Sequence, residues 1–319
     1  DKRDRFLQLK TKLPEALSGM RLFLAHGDIL ADILGGNGPR KFLFLFQNNQ
    51  EMRATGGFIG SYAFLDVNDG RVRKFFVDGI FNPDGQLRTD IVPPEPIQKI
   101  SAGWSLHDSN WFPDFPVSAE KAISFYEKTG GPTVDGVIAF TPEILKKFLE
   151  ITGPIRMDAY GVTVDENNFL ETIQYQVEVA YDKEINKPKQ ILSDLAPILL
   201  DRIFGDEAVP GAFGKALAAV EAGLSEKHML FYSRNRDMER LIRNVGWSGE
   251  VLSADRDYVS VIHSNINGYK TDGVIRETIA HRASIQDDGS VVDTVSVKRT
   301  HVGGHTGREW WDRVNADYM

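Results

Sequence analysis

A short apolar run at residues 42–46 constrains the fold of this chain more than any other feature. It is bounded by polar residues and is too short for a globular helix, so it predicts a buried β-strand. Apolar-patterned runs at residues 58–67 and 71–77 follow, and the Asn-Asp-Gly turn between them at residues 68–70 is typical of a β-hairpin. The core is therefore expected to start with one buried strand and a hairpin.

A dense polar loop joins that strand to the hairpin. Its side chains combine amides, a carboxylate, a guanidinium and a hydroxyl: Asn48, Asn49, Glu51, Arg53 and Thr55. Folds of the α/β class place ligands at the ends of buried strands, so the loop is predicted to bind one. The alternative is that the two asparagines and the glycines at 56 and 57 only turn the chain.

Composition excludes several classes of function. Of the 319 residues, 42% are hydrophobic, which is enough for a packed core and argues against disorder. The net charge of −8 argues against broad nucleic-acid binding, because proteins with that function carry a basic face. The absence of cysteine excludes thiol catalysis, disulfides and cysteine-based metal sites. No Walker A, GxGxxG, GxSxG or HExxH motif occurs. The sequence also has no run of about 18 apolar residues, which is the length needed to span a membrane.

The remaining pattern alternates helices and strands. Helices are expected at residues 1–34, from a Ser118 cap to 128, from Pro142 to 153, from a Thr163–Glu166 capping box to 180, at 191–204 and at 211–223, and strands at 134–140, 228–232, 258–263, 282–286 and 291–298. This alternation implies a layered α/β core. We divide the chain into an N-terminal helical segment (1–39), an α/β core domain (40–250) and a β-rich accessory region (251–319) that is expected to be truncated.

Two further clusters could carry chemistry. Residues 107–116 place Asp108, Asn110 and Asp114 among aromatic rings, which suits Mg²⁺ or a sugar, or else an ordered Ω-loop pinned by Trp111 and Phe115.

The second cluster is a set of arginines at helical spacing: Arg236, Arg240 and Arg243. Three such residues share one helical face and could bind phosphate, or could form a solvated face paired with Asp237 and Glu239.

The sequence resembles a bacterial family of domains of unknown function, family 4012. Residues 44–62, which include the polar loop, look like the hallmark of that family, and residues 110–116, 135–139 and 264–270 resemble its later blocks. The resemblance implies an extracytoplasmic, cell-envelope domain of a membrane-anchored bacterial protein, and it supplies no reaction. Because the chain starts at Asp1 without a methionine, we expect a fragment from which an anchor or signal segment is absent.

The order of elements is also remotely similar to that of the LytR–CpsA–Psr phosphotransferases. That resemblance implies an α/β/α core with a mixed sheet, possible use of Mg²⁺, and transfer of a glycan from a polyprenyl pyrophosphate carrier to the cell wall. Arg53 stands where that family has the arginine of Arg-Ser-Asp-Thr, and Thr55 replaces its acid. Asp78-Gly79 replaces a later Arg-Asp pair, and Lys187, Lys189 and Gln190 lie near its later arginines.

Two hypotheses follow from these resemblances. In the first, the chain is a phosphotransferase with an apolar groove beside Arg53. The predicted catalytic residues are Arg53, Asp78, Asp108 and Asp114, of which Asp78 and Asp114 would hold the metal. The predicted substrate-binding residues are Asn48, Asn49, Glu51, Thr55, Asn110, Lys187, Lys189 and Gln190.

In the second hypothesis, the chain is a non-catalytic surface module that binds a glycan or an envelope protein. It predicts a closed core with Arg53 paired to Glu51 or Asp78 and no tunnel. In both, the expected partner is a polyprenyl-phosphate-linked or cell-wall glycan, no nucleic acid is involved, and the membrane is contacted only through an anchor outside this chain.

Overall fold

A computed structural model describes residues 24, 26–181, 187–206, 208–255, 257–315 and 317–318. Its strands are β1 (Arg40–Asn48), β2 (Phe58–Asn68), β3 (Arg71–Gly79), β4 (Gly136–Phe140), β5 (Ile155–Met157), β6 (Val162–Val164), β7 (Met229–Ser233), β8 (Ser264–Asn265), β9 (Ile275–Ile285), β10 (Val291–His301) and β11 (Asp317–Tyr318). Its α-helices are α1 (26–33), α2 (Phe81–Asp84), α3 (Glu95–Gln98), α4 (Phe115–Lys128), α5 (Pro142–Thr152), α6 (Phe169–Tyr175), α7 (Gln190–Phe204), α8 (Ala212–Ser225) and α9 (Arg236–Asn244).

The core is a five-stranded mixed sheet in the order β3–β2–β1–β4–β7. Strands β1 and β4 are parallel, and every other neighbouring pair in this sheet is antiparallel. The parallel pair lies near the centre, where a strand needs apolar residues on both of its faces. This explains why residues 42–46 are a continuous apolar run, and it confirms the predicted mixed α/β sheet.

Side-chain alternation along β1 divides the core into layers. Leu43 and Leu45 belong to the same buried cluster as residues of α4. Phe42 lies on the opposite face, in a cluster with residues of α8 and α9. Because successive side chains of a strand point to opposite faces, the sheet is covered on both sides and the fold has three layers.

Beyond the core, the C-terminal region is β-rich, as predicted. Strands β9 and β10 pair over 11 residues each and form an exposed two-stranded ribbon, longer than the predicted hairpin. The short strands β8 and β11 pair with each other. In the part of the chain that the structure describes, no helix is both long and apolar enough to cross a membrane.

Two predicted helix starts are wrong. Helix α4 begins at Phe115, because the Asp114 side chain accepts a hydrogen bond from the Val117 N–H, whereas Ser118 is buried and donates to the Phe112 carbonyl. Pro116 in the first turn also favours the earlier start.

Thr163 does not open a capping box, since it pairs with Arg156 across the β5–β6 hairpin. The Asp165 carboxylate accepts backbone N–H groups of 167 and 168, and the helix starts at Phe169.

The predicted strand at residues 258–263 is also wrong, because only Ser264 and Asn265 form a ladder there. Tyr258 and Val259 are exposed, and apolar β-formers do not make a strand without a neighbour to pair with. Most of the predicted N-terminal helix at residues 1–34 lies outside the described residues, and residues 26–33 are helical.

Candidate functional site

Arg53 is the centre of the polar loop and is 6% exposed. Its Nε and Nη2 donate to Asp108 Oδ1 at 3.2 and 3.1 Å, and Nη2 also donates to Glu51 Oε1 at 3.4 Å. Its Nη1 donates to the Met52 carbonyl at 3.1 Å and to the Asn265 carbonyl. A guanidinium has five N–H donors, so this one has no donor left for a phosphate.

The charge of Arg53 belongs to a buried chain of alternating signs. His107 lies between Asp84 (Nδ1 to Oδ2, 2.7 Å) and Asp108 (Nε2 to Oδ2, 3.1 Å). Burial by itself would lower the pKa of His107, but its hydrogen bonds to the two carboxylates outweigh burial and raise the pKa to about 9. Burial would raise the pKa of Asp108, and the neighbouring His107 and Arg53 lower it instead. Asp108 is therefore held ionised by its own surroundings.

Glu51 continues the same chain of charges. Its carboxylate lies 3.7 Å from Lys270 Nζ, and Lys270 also contacts Glu178 at 2.9 Å. Burial raises the pKa of Glu51 despite the nearby cations.

Thr55 and Asn110 pack the interior of the loop. Thr55 Oγ1 accepts from Gln47 Nε2 at 3.0 Å and from Asn110 Nδ2 at 3.2 Å, and Asn110 Nδ2 also donates to the Gly57 carbonyl at 2.8 Å. A Cβ on Gly57 would lie 2.1 Å from the Asn48 carbonyl oxygen, so the chain passes there too closely for any side chain. The structure brings these two predicted site residues together, in buried contacts with the protein.

The C-terminal region packs directly on this loop. The Met52 N–H donates to Asp272 Oδ2 and the Asn265 N–H donates to the Met52 carbonyl, both at 2.8 Å. The Asp272 N–H donates to the Gln50 carbonyl at 3.0 Å. The sequence blocks around residues 48–57, 108–110 and 264–272 therefore meet in one place, where they satisfy each other's polar groups.

Asp78 and Asp114 have local partners. Asp78 Oδ1 accepts from the Gly79 N–H at 2.7 Å and from Asn82 Nδ2 at 2.6 Å. Asp114 caps α4 and also accepts from the Val251 N–H at 3.1 Å. Within the described residues, neither belongs to a group of three or more possible metal ligands, so this pair does not by itself fit a Mg²⁺ site.

One candidate metal-ligand group is present in the described part of the chain. It consists of the exposed side chains of Asp257, His281 and Asp293, on and beside the C-terminal ribbon and away from the polar loop.

An apolar pocket opens beside the polar loop, at the carboxyl end of the parallel strands β1 and β4. Its cavity volume is about 80 Å³, and the empty space reaches about 570 Å³ when its open mouth is included. Its lining comes from those strand ends, from β2 and from helices α5, α6 and α7: Phe46, Gln47, Asn48, Gly60, Ser61, Phe140, Thr141, Pro142, Leu145, Phe169, Leu170, Ile173, Gln174, Val177, Lys189 and Leu192. This is the edge at which α/β sheets bind ligands.

Lys189 is the cation of the pocket. Its side chain lies over two glycines of the sheet: a Cβ on Gly60 would lie 3.3 Å from Lys189 Nζ, and one on Gly79 would lie 3.7 Å from Lys189 Cγ. Burial, together with the charge of Lys270, lowers the pKa of Lys189 to about 8. Within the described residues, no carboxylate lies within ion-pair distance of its ammonium.

The other predicted binding residues lie around this pocket. Asn48 lines it and donates to Gln174 Oε1 at 3.3 Å. Asn49 accepts from Gln50 Nε2 at 3.4 Å. Lys187 and Gln190 are exposed at the start of α7, and Gln190 donates to Asp194 at 2.8 Å.

Sequence reasoning missed Gln174 and the apolar lining of α6. Phe169, Leu170, Ile173 and Val177 follow helical spacing, which indicates an apolar face but not what covers it.

The arginines of α9 lie in a separate groove at the other end of the β4–β7 pair. Arg240 pairs with Asp237 at 3.1 Å, and Arg243 pairs with Glu239 at 3.1 Å and Glu250 at 2.9 Å. These contacts match the second alternative predicted for this helix, a solvated face whose arginines pair with neighbouring carboxylates.

Three solved structures illustrate what this chain is similar to. Protein gbs0355 from Streptococcus agalactiae aligns with a TM-score of 0.38 at 14% identity, over 66% of this chain and 74% of its own. TagV of Bacillus subtilis gives 0.34 at 10%, over 66% and 81%, and the transcriptional regulator yvhJ from the same organism gives 0.34 at 14%, over 82% and 90%. No curated protein matches. Similarity this remote carries no argument about chemistry, which therefore rests on the site itself.

A family model does match part of the sequence. It covers residues 37–177, a segment that contains the polar loop and every lining residue of the pocket except Lys189 and Leu192. The predicted resemblance to a family of domains of unknown function is thus confirmed over that segment. Residues 37–177 of this chain match the family described as protein of unknown function DUF4012.

Proposed function

We propose that this protein is a cell-envelope domain that binds a polyprenyl-phosphate-linked glycan, with the apolar chain in the pocket and the phosphate at Lys189. The observation that carries the proposal is an apolar pocket, at the ligand-binding edge of the sheet, that contains one lysine. An apolar lining with few polar groups suits a hydrocarbon chain, and the ammonium suits the anionic group at its end. The extracytoplasmic location of the domain is part of this proposal.

The contacts of Arg53 favour a domain that binds the lipid-linked glycan without using Arg53 to transfer it. All five guanidinium donors are used within the protein, and Asp108 is used by Arg53 and His107. A phosphate that approached Arg53 would have to displace a buried carboxylate, which leaves an uncompensated charge. The domain would then present or sequester the carrier lipid.

Phosphotransfer is the second candidate, and Lys189 favours it. An amine with a pKa of about 8 is partly neutral near neutral pH and can accept a proton from an attacking hydroxyl. In this form the substrate is a polyprenyl-pyrophosphate-linked glycan. The acceptor oxygen would attack the phosphorus next to the glycan, and its proton would pass to neutral Lys189 Nζ. Polyprenyl phosphate would leave, and the acceptor would carry the glycan through a phosphodiester. Asp78 and Asp114 remain the predicted Mg²⁺ ligands only if the substrate itself completes the site.

The test is binding of undecaprenyl phosphate, measured by native mass spectrometry with and without Mg²⁺. Ile173→Trp fills the pocket from α6, and Ile279→Trp makes the same change on the exposed ribbon strand β9. Wild type and Ile279→Trp are expected to bind, and Ile173→Trp is expected to lose binding while it keeps its circular dichroism spectrum. Equal binding by a folded Ile173→Trp would place the lipid elsewhere and refute the proposal.

Transfer is tested separately with a lipid pyrophosphate-linked sugar and a soluble glycan acceptor. Release of polyprenyl phosphate that is lost in Lys189→Met but retained in Lys187→Met would support the second candidate. No release by a wild type that binds the lipid would leave the domain as a binding module.

A further inference from the structure

The pocket contains a buried donor that has no partner among the residues the structure describes. Gln174 of α6 is 9% exposed and lines the pocket, and its Nε2 has no hydrogen-bond partner among the described residues. A buried N–H without an acceptor is costly and uncommon, so each instance asks for an explanation.

The orientation of this amide follows from its neighbours. The backbone N–H of Gln50 donates to Asn48 Oδ1 at 3.0 Å, which identifies that atom of Asn48 as the oxygen. The other end of Asn48 is then an NH₂ group, and it donates to Gln174 Oε1 at 3.3 Å. Gln174 therefore uses its oxygen on the protein and is left with Nε2.

The same helix changes its geometry immediately after this residue. Helix α6 passes into a π-helical turn at Gln176–Ala180, and Val177 of that turn also lines the pocket. Such turns carry a cost in hydrogen-bond geometry and are frequent at functional sites.

The other ligand-facing group of the pocket is also a donor. Lys189 carries three N–H donors and no acceptor, and the Gln47 amide is engaged with Thr55. A ligand that satisfies both Gln174 and Lys189 must present acceptor oxygens to two separate donors. An alcohol offers one neutral oxygen and brings a donor of its own, whereas an ionised phosphate or carboxylate offers two or more charged oxygens that accept stronger hydrogen bonds.

We infer that Gln174 is a specificity-determining residue, which selects lipids with an oxyanion headgroup over neutral lipids of the same chain length. This inference rests on the proposed lipid pocket. Asn48 is a positioning residue in it, because it holds the Gln174 amide with the nitrogen free.

The experiment compares dodecyl phosphate, dodecanoate and dodecanol by isothermal titration calorimetry with the full chain, below the concentrations at which they form micelles. The wild type is expected to prefer the two anions by roughly tenfold or more, since a hydrogen bond to a charged group is worth about that factor. Gln174→Leu should lose part of this preference, because Lys189 remains, and should keep its affinity for dodecanol. Asn48→Asp keeps the acceptor for Gln50 and removes the donor to Gln174, so it should reduce the preference in part.

The outcomes separate this inference from the proposed function. If the wild type binds none of the three compounds, the lipid pocket itself is refuted. If it binds dodecanol and dodecyl phosphate equally, the pocket stands and the selection by Gln174 is refuted. Undiminished preference in a folded Gln174→Leu would also refute it. A preference for dodecyl phosphate over dodecanoate identifies phosphate as the headgroup, and equal binding of the two anions identifies the broader class.

Discussion

The polar loop at residues 48–57 and the apolar pocket beside it lie at the same edge of the sheet, yet they differ in how far the protein supplies hydrogen-bond partners for their polar groups. The loop is rich in charged and amide side chains, and its central group, Arg53, is saturated by Asp108, Glu51 and two backbone carbonyls. The pocket is largely apolar. Among the described residues, no carboxylate lies within ion-pair distance of its Lys189 ammonium, and the Gln174 Nε2 donor has no hydrogen-bond partner. A concentration of polar residues in a sequence therefore indicates a site only if the rest of the fold leaves those residues without partners.

The largest expected effect is a loss of folding stability when a carboxylate is removed from the loop network. Asp108→Ala leaves Arg53 and His107 buried without their shared carboxylate, and loss of one partner of a buried pair typically costs about 3–5 kcal/mol. Urea unfolding measures this. The control is Asp158→Ala, which removes the exposed pair with Arg156 and should cost less than about 1 kcal/mol. Similar losses in both variants would show that the loop network is not the buried anchor described above.

The second effect is a pH dependence of the stability that His107 contributes beside the loop. The folded pKa of His107, about 9, lies above its ordinary value of 6.5, so its stabilisation is complete below about pH 6.5 and is lost as the pH rises toward 9. Each pH unit in this range removes about 1.4 kcal/mol, or about 2 kcal/mol between pH 6.5 and 8.

Unfolding of wild type and His107→Gln at pH 6 and pH 8 tests this prediction. Above pH 8 the lowered pKa of Lys189 contributes with the opposite sign, so the comparison is made below that point. The wild type should lose stability over this interval, and His107→Gln should not. An equal loss in both proteins would assign the pH dependence to another group.

A smaller effect, on ligand affinity, tests the role of the Lys189 ammonium in the pocket. Gly60→Ala places a methyl group 3.3 Å from Lys189 Nζ, so the flexible end of the lysine must move by a few tenths of an ångström. Folding should change by less than about 1 kcal/mol. Affinity for dodecyl phosphate should fall about threefold to fivefold, and affinity for dodecanol should not change. Loss of both affinities together would mean that the methyl group closes the pocket instead of shifting the ammonium.

The smallest expected effect concerns the two lysines at the start of α7. Lys187 is exposed, whereas Lys189 lines the pocket. Lys187→Met should therefore change the affinity for dodecyl phosphate by less than about twofold, as expected for a screened surface charge. Lys189→Met should change it by about tenfold. Equal losses would place the headgroup outside the pocket, at the surface of α7.

Much of the fold could be predicted from local patterns. The continuous apolar run at residues 42–46 indicated a buried strand, and the Asn-Asp-Gly turn indicated the β2–β3 hairpin, because both depend on neighbours in the sequence. The predicted strand at 258–263 and the capping box at 163–166 failed for the opposite reason. Whether those residues form a strand or a helix depends on partners that local patterns do not contain.

The sequence by itself determined the α/β layers, the mixed core around β1 and the polar loop that follows it. Only the tertiary structure decided which polar side chains gather at the pocket and which are already bonded within the protein. Arg53 is saturated because Asp108 and Asn265 reach it from positions 55 and 212 residues further along the chain. Gln174 keeps an Nε2 donor with no partner in the described part of the chain, because Gln50 and Asn48 orient its amide from another element. Hydrogen-bond capacity is a property of each residue type, but whether that capacity is used depends on long-range contacts, and these form only when the chain folds.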